Sequence, residues 1–247
     1  MASRSAFTEL QRISSALAAE CDSLRFGGNV RAVYNPLVYA ARPHVLYLEL
    51  AAAAPKKAIF LGMNPGPWGM AQTGVPFGEV AAVREWLGIE AEVGKPAREH
   101  PKRPVLGFAC VRSEVSGRRL WGLFRERFKT CAKFFRGHFV ANYCPLVFMD
   151  ENGANITPDK LPAEESAPLF ERCDRALADT ISVLEPDWVI GVGGFAKKRI
   201  DRLVAGMGGK PFSAAQILPP SPASPRANAG WGEEAARALI GLGVWKE

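Results

Sequence analysis

The run Lys57-Ala58-Ile59-Phe60-Leu61-Gly62 is the strongest indication of the fold. It is a short apolar run that ends in a turn signal, which is typical of a strand buried on both faces of a sheet. Residues 139–142 and 188–192 have the same character, and residues 216–218 form a short fourth run. Helical patterns separate these runs, so right-handed crossovers are expected. We therefore predict an α/β fold, a single domain over residues 1–247 with three α/β/α layers around a central, mostly parallel four-stranded sheet.

Apolar residues at helical spacing predict the helices that cover this sheet. The first helix is predicted over residues 8–25, where Thr8-Glu9-Leu10-Gln11 has the form of a capping box. The residues between this helix and about position 55 are interrupted by prolines and are expected to be extended. Further helices are predicted over residues 79–87, 119–135, 164–185 and 194–205, and from residue 233 onward.

Composition excludes several classes of protein. The 247 residues are 48% hydrophobic and 23% charged, which excludes a disordered or fibrous chain. No apolar run reaches the roughly 18 to 20 residues that cross a bilayer, and polar residues interrupt the N-terminus, so neither a membrane protein nor a signal peptide is predicted. Five scattered cysteines without a CxxC pair indicate buried, reduced thiols. We expect an intracellular protein, cytoplasmic if the source is bacterial and nuclear if it is eukaryotic.

Three loops follow the carboxyl ends of the predicted strands: residues 63–78, the turn after Asn142, and residues 219–231. Ligands of parallel sheets bind at this edge, so we expect the functional site there. Loop 63–78 is rich in glycine and proline, which makes it stiff and lets its backbone approach a ligand closely. It lacks the GxxxxGK[ST] pattern and is therefore not a phosphate-binding P-loop. Composition alone leaves a rigid connector open as the alternative.

The loop after the first strand is specific as a whole string. Residues 62–78 read Gly-Met-Asn-Pro-Gly-Pro-Trp-Gly-Met-Ala-Gln-Thr-Gly-Val-Pro-Phe-Gly. This string closely resembles the first active-site motif of the single-strand-selective monofunctional uracil-DNA glycosylases, within the uracil-DNA glycosylase superfamily. The resemblance includes the stretches His100-Pro101-Lys102-Arg103-Pro104-Val105-Leu106-Gly107, Ser113-Glu114-Val115-Ser116-Gly117, Asn142-Tyr143-Cys144-Pro145-Leu146, Pro220-Ser221-Pro222, and Ala227-Asn228 with Gly230-Trp231.

The resemblance implies roles for five residues in base binding and catalysis. Phe77 would stack on a flipped pyrimidine, an interaction worth about 1–3 kcal/mol per base; its alternative is a core aromatic. Asn142 carries an amide that both donates and accepts, which suits O4 and N3–H of uracil and disfavours cytosine. A turn-capping asparagine is the alternative for Asn142. Asn64 would position the attacking water, while Met63 and Gly66 would shape the pocket, with the Met63 N–H facing O2 of the base.

The second motif departs from the family pattern at one position. The family has a histidine before Pro-Ser-Pro, where this chain has Pro219. That histidine would stabilise negative charge on the departing uracil, and losing such a donor typically costs about 10²–10³ in rate. In the same segment the resemblance implies DNA contacts by Ser221, Ser224, Arg226 and Asn228, with Arg226 filling the gap left by the base or meeting a phosphate. A solvated surface arginine is the alternative for Arg226.

The resemblance predicts a monofunctional DNA glycosylase that removes uracil, and related deaminated bases, from single- and double-stranded DNA and leaves an abasic site. The protein is expected to act on DNA as a monomer, without a metal or an organic cofactor, and with activity reduced by Pro219. Two alternatives stay open: a catalytically weakened protein that binds damaged bases, which Pro219 favours, and a glycosylase that prefers hypoxanthine or xanthine. A nucleotide-handling α/β enzyme unrelated to DNA is disfavoured by the extent of the resemblance.

The formal net charge of +6 is concentrated in one segment. Residues 94–136 contain 12 Lys or Arg and three acids, a net charge of +9, so the remainder of the chain carries −3. Concentrated positive charge attracts a phosphate backbone, with binding that weakens steeply as salt rises. A solvated helix surface can also carry such a run without a partner, and this interpretation holds for most of these residues.

Overall fold

Four strands form a sheet in which every neighbouring pair is parallel. The computed structural model describes residues 2–206 and 212–247. Its strands are β1 (Ala32–Tyr34), β2 (Ala58–Gly62), β3 (His138–Asn142), β4 (Val147–Met149), β5 (Asn155–Ile156), β6 (Trp188–Val192) and β7 (Ser213–Ile217). The parallel sheet has the order β3-β2-β6-β7. Every residue of β2 is buried, as expected for a central strand covered on both faces.

Helices and short helical turns make up most of the remaining ordered backbone. The helices are α1 (Ala2–Asp22), α2 (Pro36–Tyr39), α3 (Ala41–Ala51), α4 (Met70–Thr73), α5 (Val80–Ala82), α6 (Val115–Phe128), α7 (Cys131–Phe135), α8 (Ala163–Leu184), α9 (Gly194–Gly206), α10 (Pro225–Asn228) and α11 (Trp231–Gly241). A π-helical turn follows α5 at Val83–Leu87, and 3₁₀ turns lie at Gly107–Ala109 and Pro158–Lys160.

The side chains of β2 alternate between two helical layers. The ring of Phe60 lies 4.9 Å from the ring of Phe124 in α6, centroid to centroid. Its neighbour Leu61 points the other way and lines, with Cys173 and Leu177 of α8, a small cavity of about 90 Å³. The predicted three-layer α/β/α fold is therefore confirmed, and the four-stranded sheet is wholly rather than mostly parallel.

A second, antiparallel sheet was not predicted. It has the order β1-β4-β5 and contains strands of only two or three residues, too short to show alternation in the sequence. The expectation of extended structure up to residue 55 was also wrong, because α2 and α3 lie there. Pro36 is the first residue of α2 and Pro43 lies in the first turn of α3, where a missing N–H breaks no helical hydrogen bond.

Two helix predictions had incorrect boundaries. The first helix begins at Ala2, so Thr8 lies inside it and the predicted capping box does not start the helix. The single helix predicted over residues 119–135 is two helices, α6 and α7. The chain breaks at Lys129, whose φ is +64°, and Thr130 then caps α7 by accepting a hydrogen bond from Lys133 N–H (3.4 Å).

The cysteines are all free thiols, and four of the five are buried, as predicted. Cys131, at the start of α7, is the half-buried exception. In the described ranges, no helix combines the length and apolar character that crossing a membrane requires.

Candidate active site

Gly62 and Asn142 pair at the carboxyl ends of β2 and β3, so loop 63–78 and the turn after Asn142 leave the sheet side by side. Tyr143 N–H donates to Gly62 O (2.9 Å), which holds the two segments together. A Cβ on Gly62 would lie 2.5 Å from the Phe77 ring and 2.6 Å from Asn142 Oδ1. Glycine is therefore required at position 62 for these two side chains to meet.

The three predicted loops enclose a cavity of about 300 Å³, at the small end of the range for ligand pockets. Seven of the ten predicted site residues line it: Met63, Asn64, Gly66, Phe77, Asn142, Pro219 and Ser221. The cavity is completed by Pro65, Glu114, Ser116, Asn155, Thr157, Val192, Gly193, Gly194, Phe195 and Pro220. The structure therefore brings most of the predicted residues together, while their individual roles stay predictions.

Two asparagine amides face this cavity with different partners. Asn64 Nδ2 donates to Leu146 O (3.2 Å) in the turn after β3, which orients the amide and leaves Oδ1 as its acceptor. Among the described residues, the side chain of Asn142 bonds only Met70 Sδ, from Nδ2 at 3.3 Å. A thioether is a weak acceptor that a stronger ligand can displace. Asn142 does not cap a turn, so its alternative interpretation is not supported.

Phe77 has an uncommon backbone conformation, with φ of +53°. Such a conformation costs about 1–3 kcal/mol and persists only where the surroundings hold it. Here Glu79 N–H donates to Phe77 O (2.8 Å), and Trp121 Nε1 donates to the preceding Pro76 O (3.2 Å). The ring is half-buried and lines the cavity as well as packing on the core. Backbone strain at a cavity wall is typical of functional sites.

A buried histidine, His44, fixes loop 63–78 through a hydrogen bond to its backbone. His44 Nδ1 bonds Gly74 O (2.8 Å), and because a carbonyl only accepts, Nδ1 must carry the proton. Nε2 then accepts from the hydroxyl of Ser14 at 2.8 Å. Burial lowers the pKa of His44 to about 4, so the ring stays neutral at physiological pH and fixes the position of Gly74.

Glu114 is a cavity residue to which the sequence assigned no role, although it lies in one of the quoted family stretches. Its carboxyl group occupies the space beside two glycines of the loop. A Cβ on Gly66 would lie 2.1 Å from Oε1, and a Cβ on Gly69 would lie 2.2 Å from Oε2. Burial, together with the charge of Glu79, raises the pKa of Glu114 to about 7.

Asn155 and Thr157 were also missed, because none of the motifs found in the sequence includes their segment. Residues 155–156 are instead the edge strand β5, paired with β4, and this pairing brings both polar side chains to the cavity. Strand β5 is two residues long, so no alternation signalled it.

Pro219 lies in the cavity wall, two residues after β7. A Cβ on Gly193 would lie 3.2 Å from its Cβ. None of the three histidines replaces the missing imidazole, because His44, His100 and His138 all lie outside the cavity. Burial lowers the pKa of His138 to about 4, and its Nε2 pairs with Trp245 Nε1 (3.2 Å) in the core.

Three of the predicted DNA-contact residues lie outside the cavity, on the segment that follows it. Ser224 Oγ accepts from Ala227 N–H (3.3 Å) and caps α10. Asn228 Nδ2 donates to Pro222 O (3.0 Å), and its Oδ1 accepts from Arg119 Nη2 (2.9 Å). Arg226 is 75% exposed and forms an ion pair with Glu234 at 2.5 Å.

A comparison with known protein families agrees with this arrangement of sheet and loops. A family model for the uracil DNA glycosylase superfamily matches residues 51–239. The match spans the whole parallel sheet and every loop that lines the cavity. The chain belongs to this superfamily. Among the residues that the structure describes, no group of three or more His, Cys, Asp or Glu is placed to hold a metal ion.

Relatives within the superfamily cover most of the chain. It is 48% identical over 228 residues to a single-strand selective monofunctional uracil-DNA glycosylase of Rattus norvegicus, covering 92% of this chain and 82% of that protein. It is also 48% identical over 225 residues to the protein of that name from Bos taurus, covering 91% and 82%. The family resemblance seen in the sequence is confirmed.

A solved structure of low sequence identity also confirms the fold. The structure described as wild-type SMUG2 of Pedobacter heparinus aligns with a TM-score of 0.61 at 15% identity. The alignment covers 94% of this chain and 97% of the other.

Proposed function

We propose that this protein is a monofunctional DNA glycosylase that hydrolyses the bond between uracil and deoxyribose in DNA and leaves an abasic site. The observation that carries the proposal is the meeting of Asn64, Phe77 and Asn142 in one cavity at the carboxyl edge of the sheet, in a chain of this superfamily. The names of its relatives, single-strand selective monofunctional uracil-DNA glycosylase, agree with this reaction. It acts as a monomer on single- and double-stranded DNA.

The proposed reaction divides between three side chains. The flipped uracil stacks on Phe77, while the amide of Asn142 donates to O4 and accepts from N3–H. The C1′–N1 bond breaks with its electron pair passing to uracil, and a water held by Asn64 adds to C1′. An amide is a poor base, so bond breaking precedes water attack and the water's proton is lost to solvent. Met63 and Gly66 shape the pocket around the base.

Pro219 sets the expected rate. The family's histidine at this position would donate to the departing uracil anion, whereas proline has neither an imidazole nor a backbone N–H. Without that donor we expect a rate about 10²–10³ lower than that of the corresponding histidine enzyme. A protein that binds damaged bases without releasing them is the second candidate function, and Pro219 is the observation that favours it.

The segment around α10 is proposed to contact DNA. Ser221 lies at the cavity, and Arg226 is exposed, although it must exchange Glu234 for a phosphate or an empty base site. Ser224 and Asn228 make hydrogen bonds within the segment, so their contribution is to hold its shape while the backbone meets DNA.

The test is single-turnover release of base from uracil-containing single and double strands. Pro219→His should raise the rate by about 10²–10³, and Asn64→Ala should lower it. Pro162→His places the same side chain at an exposed position before α8, outside both the cavity and the segment around α10, and should leave the rate unchanged. Release that is indifferent to both Pro219→His and Asn64→Ala would contradict the catalytic assignment.

Binding without release, by the parent and by Pro219→His alike, would establish the second candidate function. The rates of release from oligonucleotides that contain hypoxanthine or xanthine, compared with uracil, give the base preference. If Asn142→Ala releases uracil as fast as the parent, the proposed reading of the base is wrong.

A further inference from the structure

Trp68 lies beside the cavity with two arginines against its indole ring. The guanidinium carbon of Arg112 is 4.6 Å from the ring centroid, and that of Arg103 is 5.3 Å away. At these distances the ring attracts both cations and fixes where their charges lie. The three residues come from two separate segments of the chain, so the arrangement depends on the fold.

The two cations have no acidic partner within the part of the chain that the structure describes. Arg103 Nη1 donates to the carbonyl of Lys102 (2.9 Å), and its Nε is buried without any hydrogen-bond partner. The aromatic ring stabilises each cation without neutralising it. Two fixed positive charges therefore remain available for an anion.

A buried glutamine makes the surface rigid. Gln72 Nε2 donates to Pro67 O (2.9 Å) and to Pro104 O (3.1 Å). Its Oε1 accepts from the N–H groups of Leu106 (2.7 Å) and Gly107 (3.1 Å). The bonds to Pro104, Leu106 and Gly107 join the loop that carries Trp68 to the segment that carries Arg103, and the bond to Pro67 braces the loop itself. A ligand would meet a preformed surface and would lose little affinity to ordering it.

Apolar side chains project from the same segments. Val111, next to Arg112, is 95% exposed, and Leu106 is 47% exposed. The preceding residue, Cys110, is buried and anchors the strand-like segment that presents Val111. Exposed apolar groups in the same segment as unpaired cations suit a ligand that offers both phosphates and flat apolar faces.

This surface is continuous with the cavity. Trp68 lies between Gly66 and Gly69, and both glycines pack against Glu114. Gly66 and Glu114 together form part of the cavity wall. A strand whose base enters the cavity would therefore pass Trp68 as it leaves on this side.

We propose that Trp68, Arg103, Val111 and Arg112 form a binding surface, the flanking-strand surface, for unpaired DNA next to the flipped nucleotide. The proposal rests on the proposed function. The guanidinium groups bind phosphates, and Val111 packs on a base. In a duplex the base faces are stacked and enclosed, so the Val111 contact forms only with an unpaired strand.

The first test measures binding of a uracil-free single-stranded oligonucleotide at several salt concentrations. The slope of log K against log salt is negative, and each lost phosphate contact on a single strand reduces its magnitude by about 0.7. Arg103→Ala and Arg112→Ala should each reduce the magnitude of the slope by about this amount, whereas Arg112→Lys should keep the slope of the parent. The control is Arg175→Ala, which removes an exposed arginine of α8 that pairs with Glu20 of α1, and it should leave the slope unchanged.

The second test compares single-stranded with duplex oligonucleotides. Val111→Ser should weaken binding of the single strand several-fold and leave duplex binding unchanged. Val38→Ser replaces another exposed valine, on α2, and should affect neither. Unchanged slopes in both alanine variants would overturn the surface, and equal losses on single strand and duplex would overturn its assignment to unpaired DNA.

Release of uracil by the parent protein is measured separately. A parent that binds with the expected slopes but releases no base contradicts the proposed enzyme function and leaves the flanking-strand surface standing. A parent that releases base while both arginine variants keep the parent slope contradicts the surface alone.

Discussion

Glu114 places a carboxyl group against the glycines of the loop that would hold the base. Because the oxygens occupy the space beside Gly66 and Gly69, any side chain at either position would displace them. The folded protein favours the neutral acid, with a pKa of about 7, so the site keeps this proton over much of the acidic range. The unfolded chain would lose it near the ordinary glutamate pKa of about 4.3.

Replacing Glu114 tests this burial through the pH dependence of stability. Between about pH 4.5 and 7 the folded state binds one more proton than the unfolded state, so the free energy of unfolding falls as pH rises. The full shift corresponds to about 3 kcal/mol, and we expect about 2 kcal/mol because the carboxyl group also faces the open cavity. Glu114→Gln lacks this proton and should not show the decline.

The measurement is urea unfolding of both proteins at pH 5 and pH 8. Glu126→Gln, at an exposed position on α6, the helix that Glu114 precedes, controls for the loss of one negative charge. Parallel pH profiles for the parent and Glu114→Gln would contradict a raised pKa in the folded state.

Residues of the candidate site could be predicted from the sequence only where they lie in a motif that resembles the family. Asn64, Phe77 and Asn142 lie in such motifs and at strand ends, and the structure brings all three to one cavity. Glu114 lies in such a motif too, but a motif does not say which way a side chain points. Asn155 and Thr157 depend on pairing between β4 and β5, which is a long-range property that no local pattern encodes.

At the scale of elements, the break between α6 and α7 shows a limit of local patterns. Basic and aromatic residues continue through positions 119–135, so periodicity predicts one helix. The chain turns at Lys129, with φ of +64° and ψ of −45°, and no glycine marks the turn. Its backbone is held by Lys129 N–H donating to Arg125 O (2.9 Å) and by Trp86 Nε1 donating to Lys129 O (3.2 Å).

Lys129→Gly should stabilise the protein. The lysine side chain is exposed, both hydrogen bonds use backbone atoms, and glycine adopts positive φ without steric cost. We expect a gain of about 1 kcal/mol in the free energy of unfolding, reduced in part by the greater entropy of glycine in the unfolded chain.

Arg136→Gly is the matched control, because Arg136 is equally exposed, lies at the other end of α7 and has a helical φ of −56°. That change should cost about 0.4–1 kcal/mol, because glycine gains entropy in the unfolded chain and relieves no strain here. Urea unfolding measures both variants, and destabilisation by Lys129→Gly would show that its side chain contributes more than the strained backbone costs.

At the scale of the whole molecule, one buried core joins the elements from end to end. Phe60 of β2, Trp121 of α6, Leu177 of α8 and Leu239 of α11 belong to the same contiguous cluster. The alternation of strands and helices made this layered core predictable, because a parallel sheet must be covered on both faces. The contribution of Trp245 was not predictable, since the helix predicted from residue 233 onward ends at Gly241 and the residues beyond it have no periodic pattern.

Trp245 lies beyond the last helix and completes this core. It is buried, its ring lies 5.7 Å from that of Phe128, and its Nε1 pairs with His138 Nε2 on the first residue of β3. Because these contacts join the C-terminus to α6 and to the sheet, removing the ring should weaken the whole fold rather than release a local segment.

Trp245→Ala should therefore lower the free energy of unfolding by about 3–5 kcal/mol, the usual cost of emptying a large aromatic site. The parent should unfold in one transition, with coincident midpoints from far-ultraviolet circular dichroism and tryptophan fluorescence. Both midpoints should shift together in the variant. Trp188→Phe, a half-buried position at the start of β6, serves as the milder control for the loss of one fluorophore. A single core cannot lose an interior ring without every element that packs on it losing stability. Separate transitions in the parent, or a shift confined to one probe, would therefore mean that the chain contains more than one cooperative unit.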